Sequence, residues 1–255
     1  MRGIVLIVLF GTSGCGLPDY QSRMDAQRRR VQEFDEANRL LDDPIEVSRI
    51  QIRDPKENTQ SERAAWDFEL FLRLPQGYST TPRDKAPYNN FLFRYFGGSE
   101  GGLGIFIAAA KVTDKEQEFG KYSPATFRGY VKPALEDYYL KKYKAHYPLR
   151  EKYKPDKKEF KVVTAYPNAE ALAKISYTTF TYTDEGKKIP KEDPTAFDVY
   201  LHEKSGKQVC IVVHRPLQPA NSSKLKDSIE ACLGSLDITF EAATKRAEYR
   251  KAKGL

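Results

Sequence analysis

Residues 196–203 and 207–214 are two β-patterned runs with little more than Ser205-Gly206 between them. So short a connection forces the second run back along the first as an antiparallel hairpin, because a parallel partner needs a crossover of a dozen or more residues. The same pattern recurs along the chain. Trp66, Phe68, Leu70, Leu72 and Leu74 alternate with Asp67, Glu69, Phe71 and Arg73, which predicts a strand with one buried face. Pro75-Gln76-Gly77 turns the chain. Residues 90–96 and 103–112 read as two strands about the glycine-rich joint Gly97 to Gly102, and residues 159–165 and 171–183 as two more.

Two segments have helical spacing instead. Ser123-Pro124 opens the first, with serine as cap and proline in the first turn. Phe127, Val131, Leu135 and Tyr138 mark its buried face, and Pro133 is expected to kink it against the carbonyl of Gly129. Asn221-Ser222-Ser223 opens the other, with an apolar stripe of Leu225, Ile229, Leu233 and Leu236 running into a strand over 236–240. Strands outnumber helices and most neighbours are hairpin-linked. The expected fold class is therefore α+β, an antiparallel β-sheet flanked by helices.

The N-terminus carries a different kind of information. Met1-Arg2, the apolar run 3–10 and Gly11-Thr12-Ser13-Gly14-Cys15 fit a secretory signal, with a charged start, a short greasy run and small residues at the cut. The run falls well short of the roughly 20 residues needed to span a bilayer. Ending at Cys15, the segment resembles the lipobox of bacterial lipoproteins, in which small residues precede a cysteine that is acylated and becomes the new N-terminus. Ser13 and Gly14 match; Thr12 departs from the usual leucine. The resemblance implies a palmitate-type lipid anchor at Cys15. An ordinary signal peptide with an incidental Cys15 is the alternative.

Past the signal, Tyr20, Met24, Gln27, Val31, Phe34, Asn38 and Leu41 recur at heptad spacing on a helix of about 22 residues that Asp42-Asp43-Pro44 should stop. It could be a stalk, a short coiled coil or a helix lying on the domain. Arg28-Arg29-Arg30 could meet anionic head groups or simply face solvent. The expected organisation is a signal peptide over 1–14, a lipidated cysteine with a polar helical stalk and linker over 15–62, the α+β domain over 63–240 and a basic tail over 241–255.

The formal charge is +7, and residues 128–161 hold 11 basic and 5 acidic residues. Such a patch could meet anionic lipid or acidic polysaccharide; export makes nucleic acid a poor partner. Tyr130, Tyr138, Tyr139, Tyr143 and Tyr147 crowd the same region and could bind carbohydrate or fill the core. In an oxidising compartment Cys210 and Cys232 can form a disulfide if their faces meet; two separately buried thiols are the alternative.

No candidate for catalysis, metal or cofactor emerges. The cluster Gly97–Gly104 lacks the lysine and following helix of a phosphate loop and reads as a hairpin. His202 should stand opposite about residue 209, which leaves His214 more than about 12 Å from it at 3.3 Å per residue. His146 lies in a lysine- and tyrosine-rich helix end, and no Gly-x-Ser-x-Gly elbow occurs.

Leu74-Pro-Gln-Gly-Tyr78 ends a strand that leads into two more and a helix. Further strands follow, then Val209-Cys210-Ile211-Val212-Val213, a helix and Ser235-Leu236-Asp237-Ile238. This order resembles the PsbP-like fold, shared by the extrinsic P-protein of photosystem II and the Ran guanine-nucleotide release factor, over about residues 66–240. The resemblance implies an antiparallel sheet between helices and a binding or assembly role, and it places no functional residue here. The expectation is an exported, lipid-anchored envelope protein, periplasmic in orientation, held to the membrane by its anchor, with a non-catalytic role toward a protein or polysaccharide. An envelope hydrolase or a structural spacer is the alternative.

Overall fold

The computed structural model describes residues 17–47, 49–53, 60–64, 68–78, 94–98, 104–111, 131–137, 140, 148–152, 155–163, 174–184, 194–217, 222–238 and 251. Helix α1 spans Leu17–Leu40. Strand β1 (Leu41–Glu46) follows directly, then β2 (Arg49–Arg53), β3 (Gln60–Ala64), β4 (Phe71–Pro75), β5 (Arg94–Gly97) and β6 (Gly104–Lys111). Helix α2 is described over 131–137. Strands β7 (Arg150–Glu151), β8 (Asp156–Lys161), β9 (Lys174–Thr183), β10 (Thr195–Lys204) and β11 (Lys207–Pro216) precede α3 (Ser222–Gly234).

The main sheet has seven strands in the order β5-β6-β11-β10-β9-β7, with β8 sharing the outer edge of β9. Every pairing is antiparallel. Its centre is the expected hairpin. Ser205 and Gly206 both take positive φ, 51° and 68°, which lets a two-residue turn follow the right-handed twist of the strands it joins. His202 pairs with Val209, as the turn position requires. Strands β5 and β6 also pair antiparallel, with Gly97 opposite Gly104; residues 99–103 of the glycine cluster lie outside the described residues. The region read as 171–183 is β9, and its neighbour begins earlier than expected, at Asp156.

Side chains alternate across this sheet into two cores. On one face Phe106, Phe180, Phe197, Val199, Cys210 and Val212 pack with Val131 and Leu135 of α2. On the other, Ile105, Tyr177, Val209, Ile211 and Val213 pack with Ile229, Cys232 and Leu233 of α3 and with Leu70, Leu72 and Leu74 of β4. The central strand β11 is buried on both faces, which is why Val209–Val213 is an unbroken apolar run rather than an alternating one. Val131 and Leu135 face the core as expected; Phe127, Tyr138, Gly129 and the kink at Pro133 that depends on it lie outside the described residues.

Two expectations are corrected. The domain does not begin at residue 63: β1 pairs with β4, and Leu41 and Val47 sit in the α3-side core, so part of the presumed linker is domain. A hairpin, β2 with β3, also occupies what read as polar linker. Of the strand expected over 236–240, residues 239–240 lie outside the described residues, and Asp237 makes a bridge to Phe71. That bridge and the Arg73 N–H bond to Ser235 Oγ flank β4 on the side away from β1, so all five of its residues are buried rather than every second one.

Candidate functional site

Polar side chains of β4 and the turn after it converge where α1 meets the domain. A helix leaves its last four carbonyls without intrahelical donors. In α1 these are not closed by a glycine cap. Gln76, in the turn after β4, meets two of them, while Arg73 of β4 binds the Asn38 side chain and the first carbonyls of β1. Arg73, 3% exposed, donates from Nε to Asp42 O at 2.8 Å and from Nη2 to Asn38 Oδ1 at 2.7 Å and Leu41 O at 3.3 Å. Gln76 donates its side-chain amide to Asn38 O and its backbone N–H to Leu40 O, both at 3.0 Å. A cation at a helix C-terminus also meets the negative end of the helix dipole. The charge acts on the neighbouring strand as well. Burial raises the Asp42 carboxyl above its ordinary value and Asp43 raises it further, while Arg73 pulls it back.

Ser235 fastens β4 to the end of α3. Its hydroxyl accepts from Arg73 N at 2.9 Å and donates to Cys232 O at 2.7 Å. Gly234 explains why α3 can come so close to β8. A Cβ there would lie 2.1 Å from the Lys161 carbonyl oxygen, and Val163 N donates to Gly234 O at 2.9 Å. Lys161 also pairs with Glu33 of α1. Helix α1 is thus fixed by its C-terminal half: Ala37 is buried and Glu33 and Asn38 are held. Toward the N-terminus it is more open, with Met24 and Asp25 half-buried. Tyr20 is 62% exposed and Val31 48%. Of the three readings of the heptad stripe, the C-terminal part follows the helix lying on the domain.

Among the described residues, the cysteines and histidines are engaged in packing. Cys210 faces α2 and Cys232 faces the opposite side of the sheet, so the disulfide does not form; both thiols are free and buried, and burial pushes both well above the ordinary thiol value. His202 and His214 also lie on opposite faces. His202 Nδ1 lies 2.9 Å from Ser176 O, and its ring packs near Tyr177, 5.4 Å between centroids. Burial is the main cause lowering its pKa. His214 stacks on Phe197 at 4.2 Å. Tyr177 donates its hydroxyl to Leu233 O at 2.6 Å, tying sheet to helix.

A second polar cluster spans three strands on the α3 side. Arg215 of β11 forks onto Asp198 of β10 through Nε and Nη2, and Thr181 of β9 donates to the same carboxylate at 2.8 Å. Arg215 also donates to the carbonyls of Pro216 and Leu217. These bonds make it a cross-strand brace.

No cluster of histidine, cysteine or carboxylate groups placed to hold a metal occurs among the described residues. No described helix is long and apolar enough to cross a membrane. In the basic stretch, Lys132 pairs with Glu136 at 3.7 Å, while Lys157 and Lys158 are exposed on β8. Cys15, His146 and the tyrosines 130, 138, 139, 143 and 147 lie outside the described residues.

The junction was hidden in the sequence. Arg73 sits where strict alternation predicts an outward residue, and its signal was its place on a short strand beside a proline turn, which says nothing about a helix 33 residues upstream.

No protein-family profile and no curated protein sequence matches the chain. Several solved structures are similar to it, among them the following two. One is the solution structure of cyanobacterial PsbP (CyanoP) from Synechocystis sp. PCC 6803, at 10% identity over 75% of this chain and 93% of that one, with a TM-score of 0.39. The other is the Saccharomyces cerevisiae Ran-binding protein Mog1p, at 10% identity over 66% of this chain and 89% of that one, with a TM-score of 0.35. The chain's own strand order and its two helix-covered faces establish the antiparallel α+β architecture.

Proposed function

We propose that this chain is an exported, lipid-anchored protein of the cell envelope whose α+β domain serves a non-catalytic binding or assembly role. The observation that carries the reading is the asymmetry of α1. Its acidic end is built into the domain through Glu33, Ala37 and Asn38, and its other end, just after Cys15, stands clear. Such a helix joins a folded body rigidly to a membrane-attached cysteine; its 24 residues reach about 36 Å at 1.5 Å each, the last part of that length lying on the domain. Acyl chains on one cysteine supply the attachment, at about 0.8 kcal/mol per buried CH₂. The non-catalytic part is supported by the positive roles of the thiols, histidines and the Arg215–Asp198 pair, each of which packs or braces the core.

Two measurements test it. Palmitate labelling and membrane fractionation of the wild type and Cys15→Ser read the anchor: label and membrane attachment lost in the variant support it, and a variant that stays on the membrane contradicts it. Crosslinking in intact membranes reads the role. A partner recovered in near-stoichiometric amount only with the anchored protein supports binding, whereas turnover of envelope polysaccharide by the purified protein contradicts a non-catalytic role.

A further inference from the structure

Charge is unevenly divided along α1. Residues 17–32 carry four arginines and two aspartates; residues 33–40 carry one arginine and three acidic residues. The acidic end is the docked one, where Glu33 meets Lys161. The basic end is the one that stands open, and its exposed face is not uniformly polar. At 100° per residue, Val31 lies about 20° and the half-buried Met24 about 40° from Tyr20, so the three share a narrow stripe that Gln27, about 20° to the other side, interrupts. Arg23 falls about 60° to one side of Tyr20 and Arg28 about 80° to the other, while Arg29 points to the opposite face. Both flanking arginines are exposed, as are Tyr20 and Val31. The aspartates lie away from the stripe, Asp19 about 100° to one side and Asp25 about 140° to the other, the latter bonded to Gln21.

We infer that this half of α1 is an interfacial helix that lies along an anionic lipid surface, with Tyr20, Met24 and Val31 dipping toward the acyl boundary and Arg23 and Arg28 on head-group phosphates. An apolar stripe bordered by arginines is what such a surface selects. Arginine is suited to both sites, since its stem packs on apolar material while its head reaches phosphate. A second copy of the chain is a poorer occupant. Packing the two stripes antiparallel, Tyr20 against Val31, brings the Arg23 and Arg28 ends of both copies together, and a parallel pair sets each arginine beside itself. The choice of lipid over an acidic protein rests on the proposed anchor at Cys15, which would hold residue 17 at head-group depth. The consequence is an orientation. The domain, rigidly joined through Arg73 and Asn38, would sit beside the bilayer with a fixed side toward it instead of swinging on a tether.

The test uses the full, unacylated chain with vesicles of phosphatidylcholine alone and of phosphatidylcholine with phosphatidylglycerol in equal parts. Wild type is compared with Arg23→Gln/Arg28→Gln and with Tyr20→Ser/Val31→Ser. All four positions are exposed, so the variants should keep the wild-type circular dichroism, and the N-terminal apolar run is common to every chain compared. The expected result is stronger partitioning to the anionic vesicles that falls roughly fivefold per arginine removed and weakens with added salt. The serine variant should bind both compositions more weakly than wild type. Equal partitioning of wild type and the arginine variant overturns the inference. Palmitate incorporation at Cys15 is read separately. Incorporation without charge-dependent binding removes this inference and leaves the anchor, and the reverse pattern removes the anchor and leaves the interfacial helix.

Discussion

Replacing Arg73 by methionine keeps much of the side-chain volume and removes the guanidinium. Two strong bonds disappear, to Asn38 Oδ1 at 2.7 Å and Asp42 O at 2.8 Å, with a weaker one to Leu41 O at 3.3 Å. Hydrogen bonds to a charged donor contribute about 1.5–3 kcal/mol each, and acceptors left buried add a desolvation cost. Against this, methionine no longer has to be desolvated as an ion. Asn38 is also exposed enough for water to replace part of what it loses. The balance is a loss of about 3 kcal/mol, or roughly 6–12 °C in Tm for a chain of this size. Urea unfolding followed by circular dichroism measures it. Asn38→Ala removes one partner and should cost about 1 kcal/mol, and the double variant should fall short of the sum because the two share a bond. Amide exchange in the last turn of α1 should quicken in both. Arg73→Lys should lie between wild type and methionine, since one ammonium cannot reach acceptors spread over two elements. If Arg73→Met unfolds within about 0.5 kcal/mol of wild type, the range of an ordinary surface change, then Arg73 does not hold α1 to the domain and the rigid joint is wrong.

Gly234→Ala should destabilise by about 3 kcal/mol, because the new methyl meets the backbone oxygen of Lys161 and not a movable side chain; an unchanged unfolding midpoint would mean α3 and β8 are further apart. Native protein should show no thiol reactive toward an aromatic disulfide at Cys210 or Cys232 and two after denaturation, and a mass two hydrogens lower under non-reducing conditions would contradict the opposite-face placement. Burial holds the His202 pKa below the ordinary histidine value of 6.5, so the unfolded chain takes up protons there before the folded one. Its contribution to stability is therefore complete above that pH and declines as pH falls below it. His202→Gln should flatten the drop in urea midpoint between neutral and mildly acidic pH, and an imidazole that titrates by NMR above 6.5 would refute the assignment.

The sheet was legible because its strongest cue is local. Ser205-Gly206 fixes the register of β10 on β11 and hence places His202 opposite Val209. The faces of α2 and α3 followed from helical spacing for the same reason. What escaped was set by distant partners. Arg73 reads as a solvent residue until α1 covers it, and residues 41–47 read as linker until β4 pairs with them. The fate of the two cysteines was equally open, since both sit on apolar faces and only the sheet between them decides that they never meet. For the N-terminal helix, the heptad stripe gave the period but not which part of it the domain covers, because that depends on where the strand after the helix pairs.

The central claim is that a modified cysteine holds this domain at a membrane through α1. Mass spectrometry of the mature protein isolated from membranes tests it most directly. The account predicts an N-terminal peptide beginning at Cys15 and carrying acyl mass. A peptide that begins elsewhere, or an unmodified Cys15 still preceded by residues 1–14, would contradict it.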